Sequence, residues 1–169
     1  MKNIVLTGFM ASGKTTVGRV ISEITGMAFA DTDKMIEEKA GMTVNEIFER
    51  YGEEYFRNLE SDIAKSCDAL ENTVISCGGG LVLRENNIKA LQKNGVVFNL
   101  NPTHEVIKHR LSKAASTRPL LKNQDLCEVI ERFEKRKPFY DVCDYKIEIV
   151  MDKTPDEIAS EIIEIYKNV

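Results

Sequence analysis

Gly8-Phe9-Met10-Ala11-Ser12-Gly13-Lys14-Thr15, residues 8–15 of a 169-residue chain, decides how the rest of the sequence is read. The stretch fits G-x4-G-K-[ST], the P-loop pattern. Its glycines permit backbone conformations in which successive N–H groups point at phosphate oxygens. A helix starting at the end of the loop adds its partial positive charge. Lys14 would reach the β- and γ-phosphates, and the Thr15 hydroxyl would ligate Mg²⁺. At average residue usage a chance match in a chain of this length arises roughly once in two hundred. The flanks agree with the motif. Ile4-Val5-Leu6 reads as a buried strand running into Gly8, and Val17, Val20, Ile21 and Ile24 mark one face of a helix over 14–25.

Outward from the loop, short β-rich runs alternate with amphipathic ones. Gly26 stands where a helix C-cap wants a left-handed residue. A second strand over 27–30 ends at Asp31, and a short helix over 33–40 stops at Gly41. Thr43-x-x-Glu46 is a capping box for a helix ending near Gly52. Phe56, Leu59, Ile63, Cys67 and Leu70 trace a further long helix. A third strand over 73–77 runs into Gly78-Gly79-Gly80. A helix over 85–93, a strand over 96–100 and a helix over 103–111 follow. Another helix carries Leu126, Val129, Ile130 and Phe133 and stops near Pro138. The fifth strand spans 145–150, and Thr154-Pro155-Asp156-Glu157 opens the last helix. This alternation predicts an α/β fold, a mainly parallel sheet covered on both faces. Right-handed crossovers put every strand's C-terminal end on one edge, where ligands bind. Residues 33–58 and 112–124 fit the alternation poorly and read as excursions over that edge, within a single domain spanning 1–169.

Composition narrows the function classes. With 43% apolar and 30% charged residues the chain is globular rather than disordered. A net charge of −4 gives no bulk basic surface for nucleic acid. No apolar run is long enough for a membrane span, and the start, MKNIVLTG, is too short in apolar residues for an export signal. The expectation is a cytoplasmic protein, and nothing requires more than a monomer. Cys67, Cys77, Cys127 and Cys143 form no metal-binding spacing with His104 or His109, and are expected to be buried or half-buried.

The remaining motifs bear on what receives the phosphate. Asp31 and Asp33 are two carboxylates one residue apart on the ligand edge. One can hold the water shell of Mg²⁺ while the other accepts a bond from a substrate hydroxyl. Asp33 could instead simply cap the next helix. Three successive glycines at 78–80 suggest close backbone approach to a ligand or a tight turn. Arg57, Arg118 and Arg136, taken singly, read equally as solvated surface residues.

Taken together, these pieces resemble the shikimate kinase family. They are the loop GFMASGKTTVGR, the DTD of 31–33, the FR of 56–57, the GGG of 78–80, the RPLL of 118–121 and the R-x-P-x-Y of 136–140. The resemblance runs from Asn3 into the last helix. It implies a three-layer P-loop kinase fold, with a five-stranded parallel sheet in the order 2-3-1-4-5, helices on both faces and a mobile lid over 112–124. It implies transfer of the ATP γ-phosphoryl group to the 3-hydroxyl of shikimate, in the pathway to chorismate and aromatic amino acids.

The resemblance also assigns roles. Ala11, Ser12, Gly13, Lys14, Thr15 and Thr16 would cradle the phosphates. Thr15 would ligate Mg²⁺, and Asp31 would hold it through water. Asp33 would bind the reacting hydroxyl, Arg57 and Arg136 the substrate carboxylate, and the Gly79 backbone the substrate. Arg118, with Lys14 and Asp33 among the catalytic residues, would close over the phosphates. Arg110 and the turn at Lys153 would border the adenine. Many members have Gly where this chain has Ala11, which only a positive φ at that position would make costly. A gluconate kinase, or a binding module that has lost catalysis, would share the P-loop. Neither accounts for the whole set.

Overall fold

The computed structural model describes residues 2–117 and 125–169. Its centre is β1 (Asn3–Gly8), buried at every position. The apolar run Ile4-Val5-Leu6 leaves no face for water, so the strand has neighbours on both sides. It pairs in parallel with β3 (Thr73–Ser76) and with β4 (Gly95–Pro102). β2 (Ala28–Asp31) flanks β3, and β5 (Tyr145–Ile149) flanks β4, both also parallel. The sheet order is β2-β3-β1-β4-β5, as the resemblance implied. Leu6 and Asp31 both stand opposite Ser76, so the loops after β1, β2 and β3 leave from one edge.

Two hydrophobic layers hold the sheet. Ile4 and Leu6 face a cluster with Val17 and Ile21 of α1 (Lys14–Thr25) and Ile158 and Ile162 of α7 (Pro155–Tyr166). Val5 faces the opposite cluster. There it meets Ile63 of α3 (Val44–Ser66), Ile88 of α4 (Glu85–Gln92), Ile107 of α5 (His104–Thr117) and Phe133 of α6 (Leu126–Tyr140). The short α2 (Thr32–Ala40) seats Ile36 in this second layer. Gly26 and Gly41 end α1 and α2 at φ 72 and 67, and both capping boxes, at Thr43–Glu46 and Thr154–Glu157, form in full.

Several boundaries differ from the sequence reading. The two helices expected around Gly52 are one element, α3, broken by a kink where Gly52 takes φ 81 and ψ 178. α5 does not stop near Leu111 but runs to Thr117. Its last turns have no apolar stripe, yet Lys113 and Ala114 are good helix formers, so propensity carries the backbone on. α6 includes Pro138 and ends at Tyr140. Proline costs an intrahelical hydrogen bond. The buried Tyr140 offsets that cost by stacking edge-on against Phe9, 6.4 Å between centroids. Of the expected excursion over 112–124, residues 112–117 are thus helical, and Arg118 with the rest lies outside the described residues. Cys67 and Cys77 are buried and Cys143 half-buried, but Cys127, in the first turn of α6, is exposed, contrary to expectation.

Candidate active site

The loop between β1 and α1 closes tightly on itself. Gly8 takes φ 152, and a Cβ there would lie 2.8 Å from the carbonyl of Leu100. Gly13 caps α1 in the left-handed region at φ 90. Lys14 folds back over the loop: its ammonium donates to the carbonyls of Gly8 at 2.7 Å and Phe9 at 3.1 Å and to Ser12 Oγ at 3.3 Å. Burial pulls its pKa down to about 8, against the pull of Cys77, Asp33 and Asp31. Thr15 and Thr16 are exposed in the first turn. Ala11 falls in the costly case. It takes φ 61, the conformation that costs a residue with a Cβ roughly 1–2 kcal/mol. Arg110, half-buried on α5, donates Nη1–H to the Ala11 carbonyl at 2.7 Å. Lys153 has other partners: it donates to the Glu148 carbonyl and pairs with Glu161 of α7.

The two aspartates have separate surroundings. Asp31 is the N-cap of α2. Its Oδ1 accepts the amides of Asp33 at 3.0 Å and Lys34 at 3.3 Å. Its Oδ2 accepts the Thr15 hydroxyl at 3.4 Å, and Ser76 Oγ lies 3.5 Å from that hydroxyl. The helix-cap alternative for Asp33 therefore falls to Asp31. The Asp33 carboxylate instead lies against Gly78, where any Cβ would overlap it. Thr32 Oγ1 accepts the Gly78 amide at 2.9 Å and locks the glycine run to α2. Burial raises the Asp33 pKa, Asp31 raises it further, and Lys14 opposes the rise.

Beyond Asp33 opens a cavity of about 220 Å³ lined by Phe9, Asp33, Phe56, Arg57, Glu60, Gly79, Gly80, Arg132 and Arg136, among others. Arg57 and Gly80 are in contact so close that a Cβ on Gly80 would overlap the guanidinium. Arg57 donates to Glu60 at 2.6 Å and to Glu53 at 3.2 Å, while its buried Nε has no partner among the described residues. Glu60 is 1% exposed. Burial pushes its pKa up while Arg57 pulls it down. Tyr140 donates its hydroxyl to the Gly79 carbonyl at 2.6 Å, joining α6 to the glycine run. A larger, open polar trough of about 650 Å³ between α3 and α4 involves none of these residues. Its Arg84 is committed to Asn58, Ser61 and Glu54.

The structure thus brings Asp33, Arg57, Gly79 and Arg136 to one cavity next to the loop carrying Lys14. The sequence reading missed Glu60, Arg132 and the hydroxyl of Tyr140. A signal existed for each: Glu60 is three residues from Arg57, and Arg132 and Tyr140 are each four from Arg136, spacings that share a helix face. Nothing in the spacing said which face met the cavity. Chemically, the site pairs an anion-binding loop with a pocket lined by both an acceptor carboxylate and guanidinium groups. That suits phosphoryl transfer to a small hydroxylated anion.

Comparison with known proteins gives the same picture. The family profile "Shikimate kinase" matches residues 10–167. The shikimate kinase of Caldanaerobacter subterraneus subsp. tengcongensis is 50% identical over 167 residues, covering 98% of this chain and 96% of that protein. That of Caldicellulosiruptor bescii is 47% identical over 167 residues, again 98% and 96%. Among solved structures, shikimate kinase from Acinetobacter baumannii in complex with shikimate superposes with a TM-score of 0.86 at 32% identity, covering 99% and 94% of the two chains. A gluconokinase from Sinorhizobium meliloti, at 17% identity and a TM-score of 0.59 over 99% and 94%, shares the fold alone.

Proposed function

The chain belongs to the shikimate kinase family and is an ATP-dependent kinase, and from that membership we propose how its own residues divide the transfer of the γ-phosphoryl group to the 3-hydroxyl of shikimate. The observation that carries the assignment is the cavity holding Asp33, Arg57 and Arg136 together beside the phosphate loop.

The loop amides of residues 11–16 and Lys14 bind the ATP phosphates. The Lys14 ammonium exchanges its carbonyl partners for phosphate oxygens. Asp33 accepts the hydrogen bond of the reacting hydroxyl and draws its proton away as the oxygen attacks. Arg57 and Arg136 bind the substrate carboxylate, with Arg132 adding positive charge in the same cavity. Gly79 offers its backbone to the substrate. Glu60 and Tyr140 hold Arg57 and the glycine run in place. By resemblance Arg118 closes over the phosphates, and Arg110 and Lys153 border the adenine.

Mg²⁺ fits the oxygens present. Thr15 Oγ1 and Asp31 Oδ2 meet at 3.4 Å at the end of the sheet, a hard-oxygen pair that would hold it directly and through water respectively. When bound it supplies charge neutralisation on the β- and γ-phosphates. No described helix is long and apolar enough to cross a membrane. The proposal includes a cytoplasmic, monomeric enzyme of small-molecule substrates, with no nucleic-acid or membrane partner.

A coupled ADP-release assay tests the substrate. Turnover is expected with shikimate and ATP, and not with gluconate. Turnover of gluconate alone would refute the assignment.

A further inference from the structure

Arg110 lies 99 residues from Ala11 in sequence, yet its Nη1–H bonds the Ala11 carbonyl at 2.7 Å. A Cβ built on Gly13 would stand 3.3 Å from the same nitrogen, so this nitrogen lies against the loop at both residue 11 and residue 13. The peptide plane that follows Ala11 is held at both polar ends. Its carbonyl accepts from Arg110, and its N–H, that of Ser12, donates to the Phe9 carbonyl at 3.2 Å. Pinning that plane fixes ψ of Ala11, and with it the direction of the amides beyond. Ala11 itself sits at φ 61, where a Cβ is disfavoured. A strained residue persists only where its surroundings over-determine it. Without the Arg110 bond, relaxation of Ala11 toward negative φ would rotate this plane and turn loop amides away from a bound phosphate.

We infer that Arg110 is a positioning residue for the phosphate loop, its hydrogen bond holding this chain's Ala11 in the left-handed conformation that aims the loop amides at phosphate oxygens. This role is separate from any contact with adenine. It rests on the reading of the loop as the ATP site and deepens it. A glycine at position 11 would need no such restraint, because it adopts φ > 0 at no steric cost.

A double-mutant cycle tests it, read out by calorimetric affinity for ATP and for tripolyphosphate, which has no adenine. Arg110→Met should weaken tripolyphosphate by about three- to tenfold, the scale of one lost hydrogen bond, and ATP by at least as much. KM for ATP should rise while KM for shikimate holds. Arg110→Lys, which keeps a donor, should recover part of the loss. In the Ala11→Gly background, Arg110→Met should cost less than about twofold in tripolyphosphate affinity. Loss of ATP affinity with unchanged tripolyphosphate affinity would overturn the inference in favour of a base contact. Equal losses with Ala11 and in the Ala11→Gly background would overturn it in favour of a direct phosphate contact. Wild-type protein that binds no tripolyphosphate would refute the phosphate-loop reading itself.

Discussion

Asp31 accepts the backbone amide of Asp33 on Oδ1 at 3.0 Å, and this bond separates two carboxylates that look equivalent in the sequence. Asp31 spends one oxygen capping α2 and turns the other toward Thr15. Asp33, on the first turn of α2, needs no such partner. Its carboxylate lies against Gly78, half-buried and with a raised pKa.

Asp33→Asn should therefore do two opposite things. As the acceptor of the reacting hydroxyl, its loss should lower kcat by at least about 10²-fold. The empty enzyme should become more stable. A carboxyl group whose folded pKa exceeds its unfolded value binds more protons when folded, so stability is lost as pH rises from the ordinary carboxylate range through the raised pKa. Above that window the charged Asp33 costs stability, and the neutral amide does not. Thermal melts at neutral pH should show a higher Tm for the variant, and the gain should shrink on acidification. A lower Tm at neutral pH would contradict the burial argument.

Lys14 titrates the other way. With its pKa depressed to about 8, the folded, empty enzyme releases this proton before the unfolded chain does. Phosphate oxygens favour the charged form, so nucleotide binding should take up a proton at pH above about 8. Calorimetry in buffers of different ionisation enthalpy should detect that uptake near pH 9 and not near pH 7. KM for ATP should rise across the same interval. A proton balance that does not change with pH would mean that Lys14 is not the phosphate partner.

Arg57→Ala should weaken shikimate binding by about 2–5 kcal/mol, the scale for truncating one partner of a buried charged contact. It should also destabilise the free enzyme by leaving the buried Glu60 without its partner at 2.6 Å. Arg136→Ala should weaken binding in the same way. An analogue lacking the carboxylate should lose much less affinity in both variants. Equal losses for the two compounds would refute the carboxylate clamp.

Gly80→Ala tests the close approach of backbone and guanidinium. The added methyl would occupy the space of the Arg57 side chain. Gly80 has φ −97, so backbone strain is not involved. KM for shikimate should rise at least about tenfold, following displacement of Arg57 by an ångström or so, while KM for ATP holds. Gly41→Ala, where a Cβ meets nothing within 4 Å but φ is 67, should instead cost stability alone. An unchanged KM for shikimate in Gly80→Ala would show that Arg57 has room to move.

Much of this protein was determined by local signals in its sequence. The run Ile4-Val5-Leu6 before Gly8 and the stripe of Val17 and Ile21 after Lys14 place a strand, a loop and a helix, because period and turn chemistry act within a few residues. Thr43, Thr154, Gly26 and Gly41 set helix ends for the same reason. Where propensity and periodicity disagree, as at residues 112–117 of α5, the boundary shifted. Only the tertiary structure decided the rest. The left-handed Ala11 depends on a side chain 99 residues away, and Pro138 stays helical in an α6 whose Tyr140 reaches Gly79 across 61 residues. Asp33, Arg57 and Arg132 come from separate helices, and their facing one cavity depends on how α2, α3 and α6 pack on the sheet. Capping and periodicity are written in neighbouring residues. Strain relief and convergence of charges depend on packing between segments far apart in the chain, and no local pattern encodes that.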